Sequence, residues 1–452
     1  MRFDDLRAAI AAIEADIAGG TVVPSVTPEE IRSHLASHYD FSAPANLNTV
    51  GADVERMLRN WHVQVTHPRY LGLFNPSVMP ASVIGDTLTA VYNPQLASWR
   101  TSPAANEIER HILRWLAAKF GLPESAAANF TTGGAEANLS AVIVALTRAF
   151  PGYGNGGLRS LARTPAIYVS RQAHHSLNKI AHMTGLGRDS LRVVDCDHDL
   201  KMNVRDLERR VAEDRNAGFE AFLVVGTAGT TAAGTIDPLS EVASFCETER
   251  LWFHVDAAWG GAAILSPRLR GYLAGIERAD SITCDAHKWF SVPMGAGMFF
   301  CRHPDAVAEA FRVETSYMPK KTAGPVSDPY TSTVQWSRRF IGLKLFLALA
   351  EKGESGYVEA IEHQARMGDV LRESLRRTGW RIVNSTPLPL VCFTREGLDT
   401  TAFLSALYAR QIAWMSDVRL DEGLPVLRAC ITSYRTTDAD IEWIVREMQE
   451  LR

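Results

Sequence analysis

The chain has 452 residues, a hydrophobic content of 46%, which can support a large core, and a net charge of −4 at pH 7. Its basic residues are scattered, which argues against a nucleic-acid-binding surface. Its six cysteines lie far apart without Cys-x-x-Cys spacing, and it shows neither a signal-peptide pattern nor an apolar run of about 18 residues, so we expect a reduced, cytoplasmic protein.

The first region, to about residue 80, is predicted to be helical and rich in loops. Apolar residues with helical spacing predict helices at residues 2–18 and 28–38. The stretch 66–80 contains too many prolines for a regular helix or strand. Such a region has little core of its own, so we expect it to need a partner surface.

The middle region alternates between helical patterns and short apolar runs. Helices are predicted at residues 103–120, 135–150 and 175–184. Strands are predicted at residues 166–170, 191–195, 221–227, 251–256, 281–284 and 297–300. These runs are apolar on both faces, which indicates a parallel or mostly parallel sheet that is covered on both sides. Ligands of such sheets bind beyond the carboxyl ends of the strands.

The last region is predicted to form a small α+β domain. Its predicted helices are residues 336–352, 356–377 and 438–451, and its predicted strands are 381–384, 390–393, 412–416 and 427–432. The preceding stretch, 314–335, is polar and contains several glycines and prolines. Its composition fits a lid over a binding site and a passive surface loop equally well.

Two glycine-containing stretches are predicted to have different structures. Residues 152–157, GYGNGG, match the spacing of a dinucleotide fingerprint but lack the preceding strand, so we predict a flexible loop there. Residues 130–146, FTTGGAEANLSAVIVAL, place Gly133 and Gly134 directly before a helix. Free N–H groups at a helix N-terminus bind anions, so this turn is either a phosphate site or an ordinary helix start.

Polar side chains follow four of the predicted strands. His174, Thr227 and Asp256 come at or soon after strand ends, and each alone has an ordinary structural explanation. Lys288, in the stretch DAHKW, lies between two apolar runs, where a lysine is rarely buried unless its amine is used or paired. A pyridoxal phosphate site needs this combination of a phosphate turn, a lysine, an aspartate for the ring nitrogen and a histidine for the ring face.

Several motifs, in order, then identify a family. They are HPRYLGLFNPS, SPAANEIE, TTGGAEANL, RQAHHS, GTTAAGTIDPL, WFHVDAAWGG, IERADSITCDAHKW, RRFIGLKLFLAL and LRACITSYRTT. From about residue 65 to its C-terminus, the chain resembles the group II pyridoxal-phosphate-dependent amino acid decarboxylases, which act on aromatic amino acids, glutamate or diaminobutyrate. The resemblance implies an α/β fold of type I, like that of aspartate aminotransferase. It also implies a homodimer with active sites at its interface, and no metal.

The resemblance also implies roles for individual residues. Lys288 matches the lysine that forms a Schiff base with pyridoxal 5'-phosphate, Asp256 matches the partner of the ring nitrogen, and His174 matches the ring stacked on the cofactor. The other cofactor-binding matches are Gly133, Gly134 and Ala135 at the phosphate, Thr227 near the ring hydroxyl and the substrate, Ala258 beneath the ring, and His287 beside the lysine. Phe74 and Trp99 are expected in the substrate pocket. Tyr330 approximately matches a catalytic lid tyrosine.

The implied organisation has three parts. Residues 1–79 are expected to dock on the dimer partner, residues 80–355 to form the large cofactor-binding domain, and residues 356–452 to form the small domain. Two positions depart from the aromatic-substrate members. Ala97 lies near a position that is phenylalanine in those enzymes, and Asp285 replaces an asparagine at the phosphate, so we expect Asp285 to point elsewhere.

The expected reaction is decarboxylation of an L-amino acid to the amine and carbon dioxide. Three alternatives share the cofactor: a decarboxylating oxidative deaminase that makes an aldehyde, a carbon–carbon lyase and an aminotransferase. A non-catalytic homologue that serves as a binding subunit is a further alternative. The presence of Lys288, Asp256 and His174 together argues against it.

Overall fold

The computed structural model describes residues 2–313, 328–420 and 423–451. Its helices are α1 (Phe3–Gly19), α2 (Pro28–His38), α3 (Leu47–Asn60), α4 (Pro80–Tyr92), α5 (Pro103–Lys119), α6 (Gly134–Ala149), α7 (Tyr153–Gly156), α8 (Ser176–Met183), α9 (Val204–Asn216), α10 (Leu239–Glu249), α11 (Pro304–Phe311), α12 (Leu343–Arg377), α13 (Thr400–Ala409) and α14 (Asp438–Gln449). Its strands are β1 (Ala127–Thr131), β2 (Thr164–Ser170), β3 (Leu191–Val194), β4 (Phe219–Thr227), β5 (Trp252–Asp256), β6 (Ser281–Asp285), β7 (Gly297–Cys301), β8 (Arg381–Ile382), β9 (Leu390–Thr394), β10 (Ser416–Arg419) and β11 (Pro425–Cys430).

The main sheet is mostly parallel, as predicted. Within the described residues its strand order is β1-β7-β6-β5-β4-β2-β3, and β7 runs antiparallel to both of its neighbours. Alternate residues of a strand pack into different cores: Val224 of β4 lies in one hydrophobic cluster, while Leu223 and Val225 lie in another. Both faces are therefore covered, which explains why the strands are apolar throughout.

A smaller antiparallel sheet lies near the C-terminus, with the strand order β10-β11-β9-β8 in the described residues. The proline-containing stretch after α3 packs against this sheet without becoming a regular strand. Leu71 N donates to Trp414 O at 2.7 Å, and Cys430 N donates to Leu71 O at 2.9 Å. No helix within the described ranges has the length and hydropathy needed to cross a bilayer.

The structure corrects three predicted elements. The strand predicted at 412–416 is wrong, because Trp414 forms an isolated bridge with Tyr70 and the sheet strand begins at Ser416. Residues 152–157 are not an irregular loop, because they contain the short helix α7, in which Gly156 N donates to Gly152 O at 2.8 Å. The helix predicted from residue 336 begins at Leu343 instead.

A buried histidine in the stretch that packs on the small sheet has a consequence for acid stability. Burial, with a smaller contribution from the charge of Arg69, lowers the pKa of His67 from 6.5 to about 4. Between these pH values the unfolded chain binds a proton that the folded chain does not. The free energy of unfolding is therefore expected to fall as the pH falls from 6.5 to about 4, by up to ~1.4 kcal/mol per pH unit.

We expect His67→Asn to reduce this acid sensitivity. Arg69 N donates to His67 Nδ1 at 3.0 Å, and an asparagine oxygen can accept the same bond without titrating. The measurement is the urea midpoint of wild type and variant at about pH 7 and about pH 5. Exposed His111→Asn is the matched control. An equal acid-induced decrease in wild type and His67→Asn would contradict the prediction.

Candidate active site

Four parallel strands bring the predicted polar residues to one edge of the main sheet. Thr227 and Asp256 are paired residues at the carboxyl ends of β4 and β5. Asp285 ends β6, with Lys288 three residues later, and His174 follows the end of β2. Strands that run in parallel present their carboxyl ends on the same side, so the sheet places these side chains together.

Lys288 is held beside a buried carboxylate. Its Nζ lies 3.0 Å from Asp285 Oδ2, and the two side chains are 22% and 1% exposed. His287 Nε2 lies 3.7 Å from the same oxygen. Ala296 N donates to His287 Nδ1 at 3.1 Å, so the neutral ring carries its proton on Nε2, and burial lowers the pKa of His287.

The glycine turn between β1 and α6 lies against this group. A Cβ atom on Gly134 would be 2.9 Å from Asp285 Oδ2 and 3.2 Å from the Cβ of Ala258. A Cβ atom on Gly133 would be 3.3 Å from Cε1 of His287. A side chain at either position would therefore come very close to neighbouring atoms, which explains why both residues are glycine. The expectation that Asp285 points away from the turn is wrong, because its carboxylate lies between Gly134 and the Lys288 amine.

Asp256 is buried and accepts two hydrogen bonds. Asn138 Nδ2 donates to Oδ2 at 2.8 Å, and Ala258 N donates to Oδ1 at 3.1 Å. Asp256 is only 5% exposed. These two donors hold the carboxylate in one orientation.

His174 and Thr227 complete the group at the sheet edge. Ser176 N donates to His174 Nδ1 at 3.2 Å, and burial lowers the pKa of His174. Thr227 N donates to Asp237 Oδ2 at 2.8 Å, and burial raises the pKa of Asp237 to about 6. The Thr227 hydroxyl is buried and has no hydrogen-bond partner among the described residues. A buried hydroxyl of this kind is suited to a polar group of a bound molecule.

An aromatic wall flanks the lysine. Phe74 stacks on Trp259 with 4.6 Å between ring centroids, and Trp259 stacks on Trp289 at 5.5 Å. The Nζ atom of Lys288 lies 5.5 Å from the centroid of Phe74. This contact brings the predicted pocket residue Phe74 to the lysine.

Sequence reasoning missed an arginine next to this wall. Arg428 is 1% exposed, and its Cζ lies 5.0 Å from the centroid of Phe74. Its Nε donates to Thr231 O at 2.9 Å and its Nη1 to Gly72 O at 2.8 Å, while Nη2 is buried without a hydrogen-bond partner in the described ranges. The argument that singled out Lys288, a cation within an apolar run, also applies to Arg428.

Trp99 and Tyr330 belong to a separate group. Tyr330 N donates to Ala97 O at 3.1 Å, and its ring packs on Trp336 at 5.1 Å. Trp99 Nε1 donates to Glu107 at 2.8 Å and helps to line a cavity of about 450 Å³. In the described part of the chain, no hydrogen bond or ring contact joins either residue to Lys288. Most of the stretch 314–335, for which a lid and a passive surface loop were both expected, lies outside the described residues, since these exclude 314–327.

Comparisons with known proteins identify the family and the fold of the chain. A family model described as the pyridoxal-dependent decarboxylase conserved domain matches residues 28–396. The aromatic-L-amino-acid decarboxylase of Bacillus atrophaeus is 28% identical over 421 residues, covering 89% of this chain and 86% of that protein. Human cysteine sulfinic acid decarboxylase is 32% identical over 342 residues, covering 75% and 69%. A crystal structure of mouse CSAD superimposes with a TM-score of 0.90 at 26% identity, covering 99% of this chain and 98% of that one. The expected fold class, type I of the pyridoxal-phosphate enzymes, is confirmed.

Proposed function

The chain belongs to the pyridoxal-dependent decarboxylase family, and we propose that it converts an L-amino acid to the amine and carbon dioxide at the site around Lys288. The observation that carries this proposal is that the lysine, the glycine turn and Asp256 lie together at one edge of the sheet. The Lys288 amine lies 3.0 Å from Asp285, which lies against the Gly134 turn, and this turn lies against Ala258 beside Asp256. These parts match the needs of a pyridoxal phosphate site.

The residues present fit the phosphate end of the cofactor. The side-chain-free surface at Gly133 and Gly134, followed by Ala135 in the first turn of α6, allows an anion to approach backbone N–H groups. Nε2 of His287 carries a proton on this side of the site and can donate it in a hydrogen bond. Asp285 adds negative charge, and the Lys288 amine offsets it.

The remaining residues fit the ring end. Asp256 offers a fixed carboxylate to the ring nitrogen, and Ala258 leaves room beside it. The orphaned hydroxyl of Thr227 is suited to the ring hydroxyl, and His174 provides a neutral ring for stacking. When bound, the cofactor supplies an electron sink for the carbon that loses its carboxylate.

The chain's own side chains then orient the reaction. The Lys288 amine would hold the cofactor through its aldehyde, and Asp285 orients this amine by a charge-assisted hydrogen bond. We propose that Arg428 binds a carboxylate of the substrate, since its free Nη2 is a buried donor beside the Phe74 wall. The aromatic rings of Phe74 and Trp259 exclude water from one side of the site.

Product analysis tests the proposal. Purified holoenzyme is incubated with single amino acids, beginning with aromatic amino acids and cysteine sulfinic acid, which are the substrates named for its relatives. Equal amounts of carbon dioxide and amine support a decarboxylase. An aldehyde with ammonia, a keto acid, or fragments of a cleaved side chain would each contradict it in favour of another reaction. A protein without cofactor absorbance or turnover would instead support a non-catalytic role.

We also propose a homodimer in which residues 1–79 dock on the partner subunit. Helix α3 buries none of its residues in the subunit, and it exposes Leu47 (81%) and Leu58 (59%). Apolar side chains of this kind are usually covered in an assembly. Sedimentation velocity tests the proposal, and the mass of a single chain would contradict it.

The remaining organisation follows the same family pattern. We propose residues 80–355 as the large domain and 356–452 as the small one, since the two sheets lie in these ranges and Gly353 interrupts α12 near the boundary. A cytoplasmic location is supported by five buried cysteines that form no disulfide, which are Cys246, Cys284, Cys301, Cys392 and Cys430. Limited proteolysis near residue 355 tests the domain boundary, and fractionation of cells tests the location.

Tyr330 is proposed to protonate the substrate carbon that has lost its carboxylate. We propose that it serves the site of the second subunit in the proposed dimer, and its contacts with Ala97 and Trp336, without a contact to Lys288, support this. We expect Tyr330→Phe to retain cofactor binding and carbon dioxide release. The unprotonated carbon should react with oxygen instead, giving aldehyde, ammonia and hydrogen peroxide at the expense of amine.

The measurement is the ratio of amine to aldehyde, together with oxygen uptake. Tyr272→Phe, at an exposed tyrosine in another part of the chain, is the matched control. If Tyr330→Phe makes amine at the wild-type rate without aldehyde, another group protonates the carbon. His174 would then be the next candidate.

A further inference from the structure

A chain of buried hydrogen bonds extends from Asp256 into the core. We infer that Asn138 and His254 are positioning residues that fix Asp256 and keep it ionised for the ring nitrogen of the cofactor. This inference rests on the proposed role of Asp256. It adds two buried residues, 1% and 0% exposed, that would act on the cofactor only through Asp256.

The orientation of the Asn138 amide is determined by its neighbours. Its Nδ2 lies 2.8 Å from Asp256 Oδ2, and its Oδ1 lies 3.0 Å from His254 Nε2. The reverse orientation would direct the amide oxygen at an ionised carboxylate. An ionised carboxylate accepts hydrogen bonds but cannot donate one, so this contact would join two acceptors. The amide therefore donates to Asp256 and accepts from His254.

This orientation also determines the tautomer of His254. An amide oxygen cannot donate, so His254 Nε2 must carry a proton. The ring is fully buried, and this burial lowers its pKa to about 4, so it is neutral near neutral pH. A neutral imidazole has one proton, and Nδ1 is therefore an acceptor.

Ser281 supplies the hydrogen bond that Nδ1 needs. Its Oγ lies 2.9 Å from His254 Nδ1, and Trp252 Nε1 donates to the same Oγ at 2.9 Å. The main-chain oxygen of Ser281 also lies 3.1 Å from Nδ1, but an Nδ1 atom that carries no proton cannot donate to it. Thr283 Oγ1 lies 3.4 Å from Nε2, which makes it a weaker second partner for the Nε2 proton.

All four hydrogen bonds consequently run in one direction. The indole N–H of Trp252 donates to Ser281, the hydroxyl of Ser281 to His254, the imidazole to Asn138, and the amide to Asp256. Hydrogen bonds in such a chain polarise one another, and the accumulated polarisation favours the anion at its end. The effect is to leave the shared proton on the cofactor's ring nitrogen and not on Asp256.

The first test needs no cofactor and no activity. Nitrogen-15 NMR of histidine-labelled apoprotein distinguishes the two neutral tautomers and the charged ring. We expect His254, assigned by comparison with His254→Gln, to be neutral with its proton on Nε2. A proton on Nδ1 or a charged ring near neutral pH would overturn the inference.

The second test uses a matched pair of variants. His254→Gln keeps an amide N–H that can donate to Asn138, whereas His254→Leu has a similar volume and no donor. We expect His254→Leu and Asn138→Ala to weaken cofactor binding to the apoprotein by about 10- to 100-fold, the range found when partners that orient metal ligands are removed. The visible band of the bound cofactor should also shift toward the form with an unprotonated ring. His254→Gln should remain close to wild type in both measurements.

The outcomes separate the inference from the proposed function. Wild-type affinity and spectrum in both His254→Leu and Asn138→Ala would overturn the inference while leaving a decarboxylase intact. Equal losses in the leucine and glutamine variants would also overturn it, because they would indicate a packing effect. If the leucine variant does not fold, the tautomer of the wild-type protein and the Asn138→Ala affinity decide the question.

Discussion

Lys288→Ala is expected to abolish turnover and the visible absorbance of the lysine-bound cofactor. The Lys288 amine is the nucleophile at the proposed site, and removing a covalent nucleophile from another enzyme lowered kcat by about a millionfold. The measurements are single-turnover assays and absorption spectra of the variant reconstituted with cofactor. Near-native turnover would contradict the assignment.

The buried carboxylate next to Lys288 complicates the interpretation and suggests a control. Asp285 has a side chain that is only 1% exposed, and Lys288→Ala would leave its charge without the amine 3.0 Å away. Removing one partner of a buried ion pair can cost about 3–5 kcal/mol, although partial exposure of the lysine (22%) reduces this cost here. The single variant is therefore expected to unfold at a lower temperature.

Adding Asp285→Asn to Lys288→Ala separates stability from chemistry. The double variant removes the unpaired charge, so its melting temperature should recover most of the loss, while turnover should remain absent. If turnover recovers along with stability, the loss in the single variant was due to unfolding. That result would remove the catalytic role from Lys288.

The part of the site that could be predicted lies at strand ends. The strands β5 and β6 are buried along their length, and β4 is buried from Ala221 onward, so a polar residue where each apolar run ends is conspicuous in the sequence. Thr227 and Asp256 were identified in this way, and the register of β4 with β5 places them side by side. Local pattern and parallel topology were sufficient here.

The residues that were missed act through contacts distant in sequence. Asn138 is 118 positions from Asp256, and Arg428 is 356 positions from the carbonyl of Gly72 to which it donates. Each lies in a helix or a strand, where a polar side chain can be explained without a role in the site. Strand β1 was missed because its burial is partial and it pairs only with β7. The error at 412–416 has a similar cause, since Trp414 pairs with Tyr70 in the N-terminal stretch.

Asp256→Ala is expected to have the second-largest effect. At the proposed site the carboxylate would hold the ring nitrogen of the cofactor in its protonated, electron-withdrawing form, so its removal would weaken the electron sink on which decarboxylation depends. We expect a loss of about 3 kcal/mol in transition-state stabilisation, or about a hundredfold in kcat, as found for other preorganised electrostatic groups. Cofactor affinity should also fall. Rate and affinity are measured by steady-state assay and by titration of the apoprotein.

Two further variants separate charge from packing. Asp256→Asn keeps the shape and removes the charge, so it should lose nearly as much activity as Asp256→Ala while keeping more stability, because its amide oxygen can still accept from one of the two donors, Asn138 Nδ2 or Ala258 N. Asp214→Asn removes a buried carboxylate that is paired with Arg192 elsewhere in the fold, and it should change stability without changing cofactor affinity. A rate loss below about threefold in Asp256→Asn would contradict the electrostatic role. Equal affinity losses at Asp256 and Asp214 would indicate that cofactor binding reports only on the stability of the fold.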